Sequence, residues 1–375
     1  MLEKLSVHGF RTLVDTTISF DPLTIMIGKN GVGKTSVLDV LQIIGNFARG
    51  GINRAFGPPP WSLGWQRTKG VGEIHAVRFE VDLKGSNDQQ YKYTLALGES
   101  HGEATVKEER LVRLSDHVAI AKFDFKHPPQ NGSILSPDAN SPHGADIEEA
   151  ARLLRSVVSY ELNPLQIEQG IDPEHQHVGR DGFGVAGYLA ATRDDNKKLF
   201  QRIEERLKQL RPGTEAIEVW AASGRLFWGL RDRNQERAFP ACHISWGDRQ
   251  LVGLLCVLYG AKPSSTIALE EIDRGFHHSR YQSVIELVSQ AAYDSLDEKP
   301  PIQAIVTTHS PSFISKLADR SSEIRLVTRN PGGGTVIRSL QEVVEEKLGT
   351  SHTAAPLGEV WEAGLLEDVV VESMS

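Results

Sequence analysis

Cysteine and long apolar runs are both scarce in this sequence. Only Cys242 and Cys256 occur among 375 residues, so neither a disulfide framework nor the ligand spacing of a zinc site is present. No apolar stretch reaches the roughly 18 residues that a membrane-spanning helix needs. The segment from Met1 to Phe20 lacks the apolar region of a secretion signal. We therefore expect a cytoplasmic protein with no membrane contact.

Positive charge is also in short supply. Lys plus Arg number 41 against 49 for Asp plus Glu, which gives 41 − 49 = −8. A net negative charge means that any nucleic-acid contact would have to come from a local basic patch. Hydrophobic residues at 39% and charged residues at 24% exclude wholesale disorder and coiled-coil rods. The length predicts one large domain with an insertion, or two domains.

A phosphate-binding loop lies near the N-terminus. The apolar run Leu23–Ile27 is typical of a buried parallel strand, and a helical pattern of apolar residues begins at Val37. The residues between them match GxxxxGK[ST] in full: Gly28, Lys29, Asn30, Gly31, Val32, Gly33, Lys34 and Thr35. A glycine-rich turn with an incidental lysine is the alternative, but strand, loop and helix occur in the required order. We therefore predict nucleotide binding.

The residue types suit this chemistry. Glycines let successive backbone N–H groups close around a phosphate, and the helix N-terminus adds a positive dipole. Lys34 would reach the β- and γ-phosphate oxygens, and Thr35 would bind Mg²⁺. Ser36 follows the motif but is not the expected metal ligand.

Two acidic residues follow a second apolar strand, Thr266–Leu269. This is where ATPases present one carboxylate to Mg²⁺ and the next to the attacking water. We assign Glu270 to Mg²⁺ and Glu271 to the water. Taken alone, the pair would more often be two solvated acids at a strand end.

Further motifs flank this acidic pair. Upstream, Ser245–Gln250 precedes an apolar helix, Leu251–Tyr259, so that Ser245, the Gly247 amide and a helix N-terminus predict a second anion site. Downstream, the predicted strand Ile302–Val306 leads to His309, at the strand end where open α/β sheets bind ligands. Each signal alone has a structural explanation, but their order favours an ATPase.

The whole set resembles ATP-binding-cassette-type (ABC-type) AAA ATPases of the RecF/SMC/OLD branch, in particular short OLD-like ATPases. The resemblance is carried by five motif segments and one further segment: His8–Thr12, Gly28–Ser36, Ser245–Gln250, Leu269–His278, Thr307–Phe313, and Val178–Gly182 followed by Val185–Ala191. It implies an α/β fold, a P-loop ATPase head with an antiparallel β-lobe and a helical insertion.

The resemblance also implies a mechanism. Two protomers would pack head to tail around two ATP molecules, each Ser245 and Gly247 closing on the γ-phosphate bound by the other protomer. His309 would sense the γ-phosphate, Asp273 would lie in the dimer-contacting loop and Arg11 would touch the nucleotide. The implied ATP-binding set comprises Arg11, Gly28, Lys29, Asn30, Gly31, Val32, Gly33, Lys34, Thr35, Ser36, Ser245, Gly247, Gln250 and Asp273, with Glu271 and His309 catalytic and Thr35 and Glu270 on Mg²⁺.

The chain departs from the family pattern at several positions. Glu270 replaces the usual aspartate, but a carboxylate remains available for Mg²⁺. The adjacent His277 and His278 point in different directions if helical, so we favour a structural or interface role over metal binding. Gln66 and Gln89 are the two candidates for the glutamine that such ATPases place near the metal.

The remaining segments predict the domain organisation. We expect an N-terminal half with a β-lobe over residues 1–114, an insertion over 115–215 and a C-terminal half over 216–375. Alternation predicts antiparallel strands at Ile74–Leu83, Tyr91–Leu97 and Ala104–Leu114. Asp116–Asp146 is rich in turn-forming residues and predicts a loop. Helices are expected over Ile147–Tyr160, over Lys197–Leu210 and in the tail Leu357–Val371.

Basic residues cluster from Arg193 to Arg211 and again between Arg225 and Arg237. We favour a solvated face with ion pairs, and direct DNA binding remains a hypothesis. No long heptad pattern exists, which excludes the coiled-coil arm of SMC proteins. The stretch after His309 is too short for the TOPRIM nuclease domain of full-length OLD proteins, so we expect a separately encoded effector such as a nuclease.

We therefore predict an ATP-driven switch that dimerises, or forms a higher homo-oligomer, and controls that effector in antiviral (anti-phage) defence. A RecF-like DNA-repair ATPase is the nearest alternative. A non-hydrolysing scaffold that needs ATP only to assemble, and an ATPase coupled to a membrane transporter, are the others.

Overall fold

A computed structural model describes residues 1–56, 63–68, 76–86, 88–100, 103–123, 132–135, 142–294, 296, 300–348 and 361. The chain divides into two compact units. Unit 1 comprises residues 1–159, 264–268 and 303–375, and unit 2 comprises residues 160–263 and 269–302. Among the described residues, no helix is long and apolar enough to cross a membrane. The division of the sequence into 1–114, 115–215 and 216–375 stays a prediction.

The described part of the chain contains fifteen strands. In chain order they are β1 Leu2–Phe10, β2 Leu13–Ser19, β3 Leu23–Ile27, β4 Ala76–Lys84, β5 Gln90–Ser100, β6 Glu103–Arg113, β7 Val118–Lys122, β8 Val157–Tyr160, β9 Thr214–Ala222, β10 Arg225–Asp232, β11 Phe239–Pro240, β12 Thr266–Leu269, β13 Gln303–Thr308, β14 Ile324–Arg329 and β15 Thr335–Ser339.

Eleven α-helices accompany these strands within the same residues. They are α1 Lys34–Gly50, α2 Ile52–Ala55, α3 Leu63–Gln66, α4 Gly144–Arg155, α5 Pro164–Ile167, α6 Val185–Asp195, α7 Lys197–Leu210, α8 Trp246–Gly260, α9 Tyr281–Tyr293, α10 Pro311–Ile314 and α11 Leu340–Leu348. Short 3₁₀ turns occupy Ala241–His243, His278–Arg280 and Ser315–Glu323.

A six-stranded antiparallel sheet forms the β-lobe of unit 1, in the order β2-β1-β4-β5-β6-β7. Alternate residues of β4 are buried, as a sheet with one face on a core requires. Val7 of β1 pairs with Phe79 of β4, and the Phe79 ring meets that of Phe10 edge to face at 5.9 Å between centroids. This buried face belongs to the main hydrophobic core, which also contains the apolar side of α1.

The second sheet of unit 1 is mixed, in the order β15-β14-β3-β13-β12-β8. All five residues of β3 are buried, and β3 runs parallel to both β13 and β14. A strand with parallel neighbours on both edges lies inside the sheet, which explains its continuous apolar sequence. The predicted buried parallel strand is confirmed.

Unit 2 contains the antiparallel sheet β11-β10-β9 and the helices α5 to α9. Trp228 of β10 is buried, and its indole N–H donates to the carbonyl of Ile167 at 2.8 Å. Helix α8 is buried along nearly its whole length. A helix that is apolar on all sides lies in the core of its unit, unlike an amphipathic helix at the surface.

The sequence-based elements were largely confirmed, with three corrections. The helix expected over Ile147–Tyr160 ends at Arg155, and β8 takes the last four residues, because the β-branched pair at its start and a final tyrosine favour a strand. The loop expected over Asp116–Asp146 contains β7, although residues 124–131 and 136–141 lie outside the description. The tail expected as a helix lies almost wholly outside the described residues.

The third correction concerns the helix expected to begin at Leu251. It begins at Trp246, with Ser245 as its N-cap, so that Gly247 and Gln250 lie inside the first turns of α8 rather than before it. The N-cap hydroxyl sets this earlier start, because it satisfies one of the backbone N–H groups that a new helix leaves open.

Candidate functional site

The phosphate loop and His309 lie at the same edge of the mixed sheet. Thr308, the last residue of β13, pairs with Ile27, the last residue of β3, so Gly28 and His309 follow directly after paired strand ends. Ligands of open α/β sheets bind at the carboxyl ends of the parallel strands. His309 is exposed there. The predicted loop and the predicted sensing histidine therefore share one edge of unit 1.

Helix α1 begins in a form suited to an anion. Its N-cap is Gly33, with φ 117° and no side chain to cap the helix, and its first turn carries no acidic residue. Seventeen residues of helix direct their dipole to this end. Thr35 is exposed in the first turn, whereas Ser36 is buried. The first turn of α1 therefore has the features of a phosphate site.

The Lys34 side chain is hydrogen-bonded to the backbone of the phosphate loop. Its Nζ donates to the carbonyl oxygens of Gly28 at 2.6 Å and Lys29 at 2.9 Å, and the residue is 8% exposed. These two contacts fix the ammonium group over the loop backbone. A charge held in this way lies beside the first turn of α1, where a phosphate needs a cation.

Arg11 is fixed beside the same helix. Its backbone has φ 49°, an unusual value for a residue with a side chain. The guanidinium donates to Asp39 of α1 at 2.7 Å and to the Gln66 side chain at 3.2 Å, and the Arg11 N–H donates to the Gln66 carbonyl at 2.7 Å. Gln66 therefore lies next to the predicted nucleotide contact Arg11. Gln89, the other candidate, bonds to Ser115 on an exposed edge.

In unit 2, residues Ser245–Gln250, which we call the signature segment, form the N-terminal end of α8 and its cap. The Ser245 hydroxyl accepts the Asp248 N–H at 3.2 Å, and Ser245 and Trp246 are exposed. A Cβ at Gly247 would lie 2.8 Å from the carbonyl oxygen of Gly275, a distance that real Cβ atoms do not adopt. Glycine at position 247 thus lets the first turn of α8 pack directly against the segment that follows the acidic pair.

A network of charges fixes this end of α8. Asp248 pairs with Arg280 at 2.6 Å and with Arg211 at 3.1 Å, and Arg211 also pairs with Asp232. Burial opposes ionisation of Asp248, but the Arg280 and Arg211 guanidinium groups and the Ser245 hydroxyl outweigh it and lower its pKa. Asp248 is therefore a carboxylate that ties three segments of unit 2 together.

The acidic pair follows β12 directly. The Glu270 N–H donates to the Tyr160 carbonyl at 2.8 Å, which extends the sheet pairing by one residue. Glu271 then adopts φ 46°, and its carboxylate lies 3.5 Å from Arg274. A residue with a side chain at positive φ is held there by its surroundings, and such positions concentrate at functional sites. Glu271 is thus set apart geometrically from Glu270.

A small cavity separates α8 from this segment inside unit 2. It has a volume of about 10 Å³ and is lined by Gln250, Glu270, Ile272, Phe276 and other residues of unit 2. Gln250 is 4% exposed, donates weakly to the Leu162 carbonyl at 3.3 Å, and its side-chain oxygen is buried with no hydrogen-bond partner. The cavity is about the size of one water molecule, which would satisfy that oxygen.

Residues 23–315 match the family described as "AAA domain, putative AbiEii toxin, Type IV TA system". The chain belongs to this family. It is also 23% identical over 378 aligned positions to a protein named OLD nuclease from Thermus scotoductus (strain ATCC 700910 / SA-01), an alignment that covers 96% of this chain and 68% of the relative.

Solved structures of SMC heads share the fold of this AAA-domain protein. An SMC head bound to the C-terminal winged-helix domain of ScpA superposes with a TM-score of 0.56 at 16% identity, covering 92% of this chain and 99% of the other. A Pyrococcus furiosus SMC head bound to the C-terminal domain of ScpA gives 0.51 at 13% identity, covering 92% and 98%. The chain is thus an ABC-type ATPase of the OLD/SMC branch, with the predicted P-loop α/β fold.

The predicted site residues of this ATPase fall into two groups. Unit 1 contains Arg11, Gly28–Ser36 and His309, and unit 2 contains Ser245–Gln250 and Glu270–Asp273. Gln250 and Asp273 are both buried within unit 2. These assignments stay predictions for both groups.

Two further residues near these groups were not predicted from the sequence. Asp248 was passed over although it stands inside the signature segment, because its arginine partners are distant in sequence. Thr335 of β15 contacts the phosphate loop, and nothing in the local sequence signals it.

The predicted magnesium ligands fit the metal by their chemistry. Thr35 offers a hydroxyl oxygen and Glu270 a carboxylate oxygen, both of the hard type that Mg²⁺ prefers. Among the described residues, no cluster of three His, Cys, Asp or Glu side chains forms a separate metal site. His277 accepts the N–H of Ser279 as a helix cap, and its ring centroid lies 4.0 Å from that of His278, with the two rings tilted by 38°. This supports the structural interpretation of the histidine pair.

The basic segments of unit 2 carry many ion pairs. Lys208 pairs with Glu204 at 2.8 Å within α7, Arg193 pairs with Asp194 at 2.8 Å, and Arg231 pairs with two glutamates on β9. Paired cations of this kind are typical of a solvated surface. DNA binding by these segments stays a hypothesis.

Proposed function

We propose that this protein is an ATP-hydrolysing molecular switch whose two ATP-bound copies associate head to tail. The observation that carries the proposal is the start of α1, where an uncapped left-handed glycine, Gly33, meets the Lys34 ammonium fixed over the loop. This arrangement offers backbone N–H groups, a helix dipole and a cation to a triphosphate.

The roles of the other residues follow from their positions. His309 would donate to the γ-phosphate from the neighbouring strand end. Glu271 would accept a hydrogen bond from the attacking water and orient it, since its position at φ 46° separates it from the strand. Glu270 and Thr35 would hold Mg²⁺, which when bound neutralises charge on the β- and γ-phosphates. Ser245 and the amides at the start of α8 would meet the γ-phosphate held by the second copy.

Context for the switch comes from the relatives. The similar protein of Thermus scotoductus is named a nuclease, and the family's description refers to a putative toxin of a type IV system. The first name supports a nuclease as the effector that the switch controls, and anti-phage defence is the setting that we propose for it. The SMC heads are described in complex with ScpA domains, which supports a partner protein as the target of the switch. We further propose a cytoplasmic location.

Hydrolysis is tested by comparing Glu271→Gln with Glu161→Gln. Both carboxylates contact Arg274, at 3.5 Å and 3.9 Å, so the control removes a neighbouring charge without touching the acidic pair. We expect phosphate release to fall by at least about 100-fold in Glu271→Gln, in line with loss of a general base, and to persist in Glu161→Gln. Equal rates in Glu271→Gln and the unmodified protein would contradict the role of Glu271.

Binding and association need separate measurements. Lys34→Ala should abolish binding of a fluorescent ATP analogue, because it removes the cation over the loop. Glu271→Gln with Mg-ATP should sediment as a dimer, whereas Glu271→Gln combined with Lys34→Ala should stay monomeric. If both variants sediment as monomers, the head-to-tail model is refuted. The proposal of ATP hydrolysis would stand, because the phosphate-release assay tests it separately.

A further inference from the structure

Thr335, the first residue of β15, contacts the phosphate loop from a distant part of the sequence. It is 3% exposed. Its hydroxyl donates to the carbonyl of Val32 at 2.7 Å, and the hydroxyl of Thr12 lies 2.8 Å from it. The Val32 carbonyl oxygen can only accept a hydrogen bond, so the Thr335 hydroxyl is the donor to it.

The backbone of Thr335 is fixed as well. Its N–H donates to the carbonyl of Thr12 at 2.7 Å, and its carbonyl accepts the hydroxyl of Thr16 at 2.9 Å. Every polar atom of Thr335 is therefore hydrogen-bonded within unit 1. These hydrogen bonds hold the Thr335 side chain in a single position. The hydroxyl therefore points toward the phosphate loop in a fixed direction.

The bond to Val32 also determines the direction of the next amide. A trans peptide is planar, so the Val32 C=O and the Gly33 N–H lie in one rigid plane and point in opposite directions. Gly33 has φ 117° and no Cβ, and such a residue otherwise allows this plane to rotate. The Thr335 hydroxyl prevents that rotation by holding the carbonyl.

Gly33 and Thr335 also fit each other sterically. A Cβ at Gly33 would lie 2.3 Å from the Thr335 hydroxyl oxygen and 3.0 Å from its methyl group. The glycine of the motif therefore leaves the space that Thr335 occupies. A methyl group in place of the hydroxyl would keep that space occupied but would no longer hold the carbonyl.

We propose that Thr335 is a positioning residue for nucleotide binding, whose hydroxyl preorganises the phosphate loop by fixing the Val32–Gly33 peptide plane. This inference rests on the proposed function, since it concerns how the loop is shaped for a phosphate. Preorganised amides bind an anion more tightly because they lose less freedom on binding.

The test compares three variants of buried threonines in the β14–β15 hairpin. Thr335→Val removes the hydroxyl and keeps the shape, and Thr335→Ser keeps the hydroxyl and removes the methyl group. Thr328→Val is the matched control, because Thr328 is buried in β14 and its hydroxyl has no hydrogen-bond partner. The affinity of each variant for a fluorescent ATP analogue and its thermal midpoint are measured.

We expect Thr335→Val to bind roughly 3- to 10-fold more weakly, the effect of one net hydrogen bond. Thr335→Ser and Thr328→Val should bind within about twofold of the unmodified protein, on the same scale. Equal affinity in Thr335→Val, or equal weakening in Thr335→Ser, would overturn the role of the hydroxyl. Failure of the unmodified protein to bind ATP would instead refute the proposed function.

Thr12→Val keeps the experiment decisive if Thr335→Val does not fold. It removes the hydroxyl that lies 2.8 Å from the Thr335 hydroxyl and leaves the Val32 contact in place. We expect weaker binding than in Thr328→Val, because Thr335 becomes less firmly oriented. Binding equal to that of Thr328→Val would count against the proposal.

Discussion

Glu109 makes the stability of unit 1 depend on pH. It is fully buried in β6, where its carboxyl accepts hydrogen bonds from the Tyr93 hydroxyl at 2.8 Å, the Ser133 hydroxyl at 2.6 Å and the Ile134 N–H at 3.0 Å. Burial raises its pKa to about 7, although the three donors favour the charged form. The variant that removes this titration is Glu109→Gln, whose amide can donate to both hydroxyls and accept from Ile134.

The direction of the effect follows from proton binding. The folded protein holds the Glu109 proton up to a pH of about 7, whereas the unfolded chain releases it near the ordinary value of 4.5. Between those two values the folded state binds more protons, so its stability falls as the pH rises. The interval is 7 − 4.5, about 2.5 pH units, which corresponds to about 3 kcal/mol at roughly 1.4 kcal/mol per unit.

Chemical denaturation at pH 5 and pH 8 measures this effect by difference. Groups that titrate equally in both proteins cancel when unmodified protein is compared with Glu109→Gln. We expect Glu109→Gln to gain roughly 2–3 kcal/mol relative to the unmodified protein between pH 5 and pH 8. Glu108→Gln, on the same strand but paired at the surface with Arg78, controls for loss of a negative charge. A Glu109→Gln difference that is the same at both pH values would refute the reasoning.

Two substitutions in unit 2 test the signature segment. Gly247→Ala would place its Cβ 2.8 Å from the Gly275 carbonyl oxygen. We therefore expect chemical denaturation to show a free energy of unfolding lower by roughly 1–3 kcal/mol, and ATP-driven association to be weaker. An unchanged denaturation midpoint would mean that the close packing at Gly247 is not needed for stability. Asp248→Asn removes the charge that Arg211 and Arg280 share, and should destabilise by roughly 2–4 kcal/mol at neutral pH. Because the pKa of Asp248 is lowered, that difference should shrink as the pH falls below its ordinary value of 3.8, and a difference independent of pH would contradict the ion pairs.

The sequence predicted the elements whose signals are local. The order of strand, glycine-rich loop and helix from Leu23 to Ile44 is contiguous, so residue pattern and motif spacing were enough to place β3 and α1. The alternation in β4 was equally readable, because alternate residues of this strand are buried. In β5, residues 93–98 are all buried, so its alternation in sequence does not correspond to one buried face. The acidic pair could be located after β12 because it directly follows a contiguous apolar run in the sequence.

Long-range packing decided what the sequence left open. The strand β8 directly follows a helical pattern in the sequence, and its pairing at the edge of the mixed sheet adds to the strand preference of its residues. Asp248 and its partners Arg211 and Arg280 are separated by more than thirty residues in either direction. The contact from Thr335 to Val32 spans 303 residues. Such pairs carry no local pattern that a reader of one sequence could recognise.

Two motif glycines share a physical role that the motifs themselves do not state. Gly33 leaves space for the Thr335 hydroxyl, and Gly247 leaves space for the Gly275 carbonyl. In each case the absent side chain lets a polar group from elsewhere in the same unit reach the first turn of a helix. The helix N-terminus supplies the field for an anion, but the position of its amides depends on those neighbours. A chain with the motif glycines but without such neighbours would keep the dipole and lose the fixed geometry.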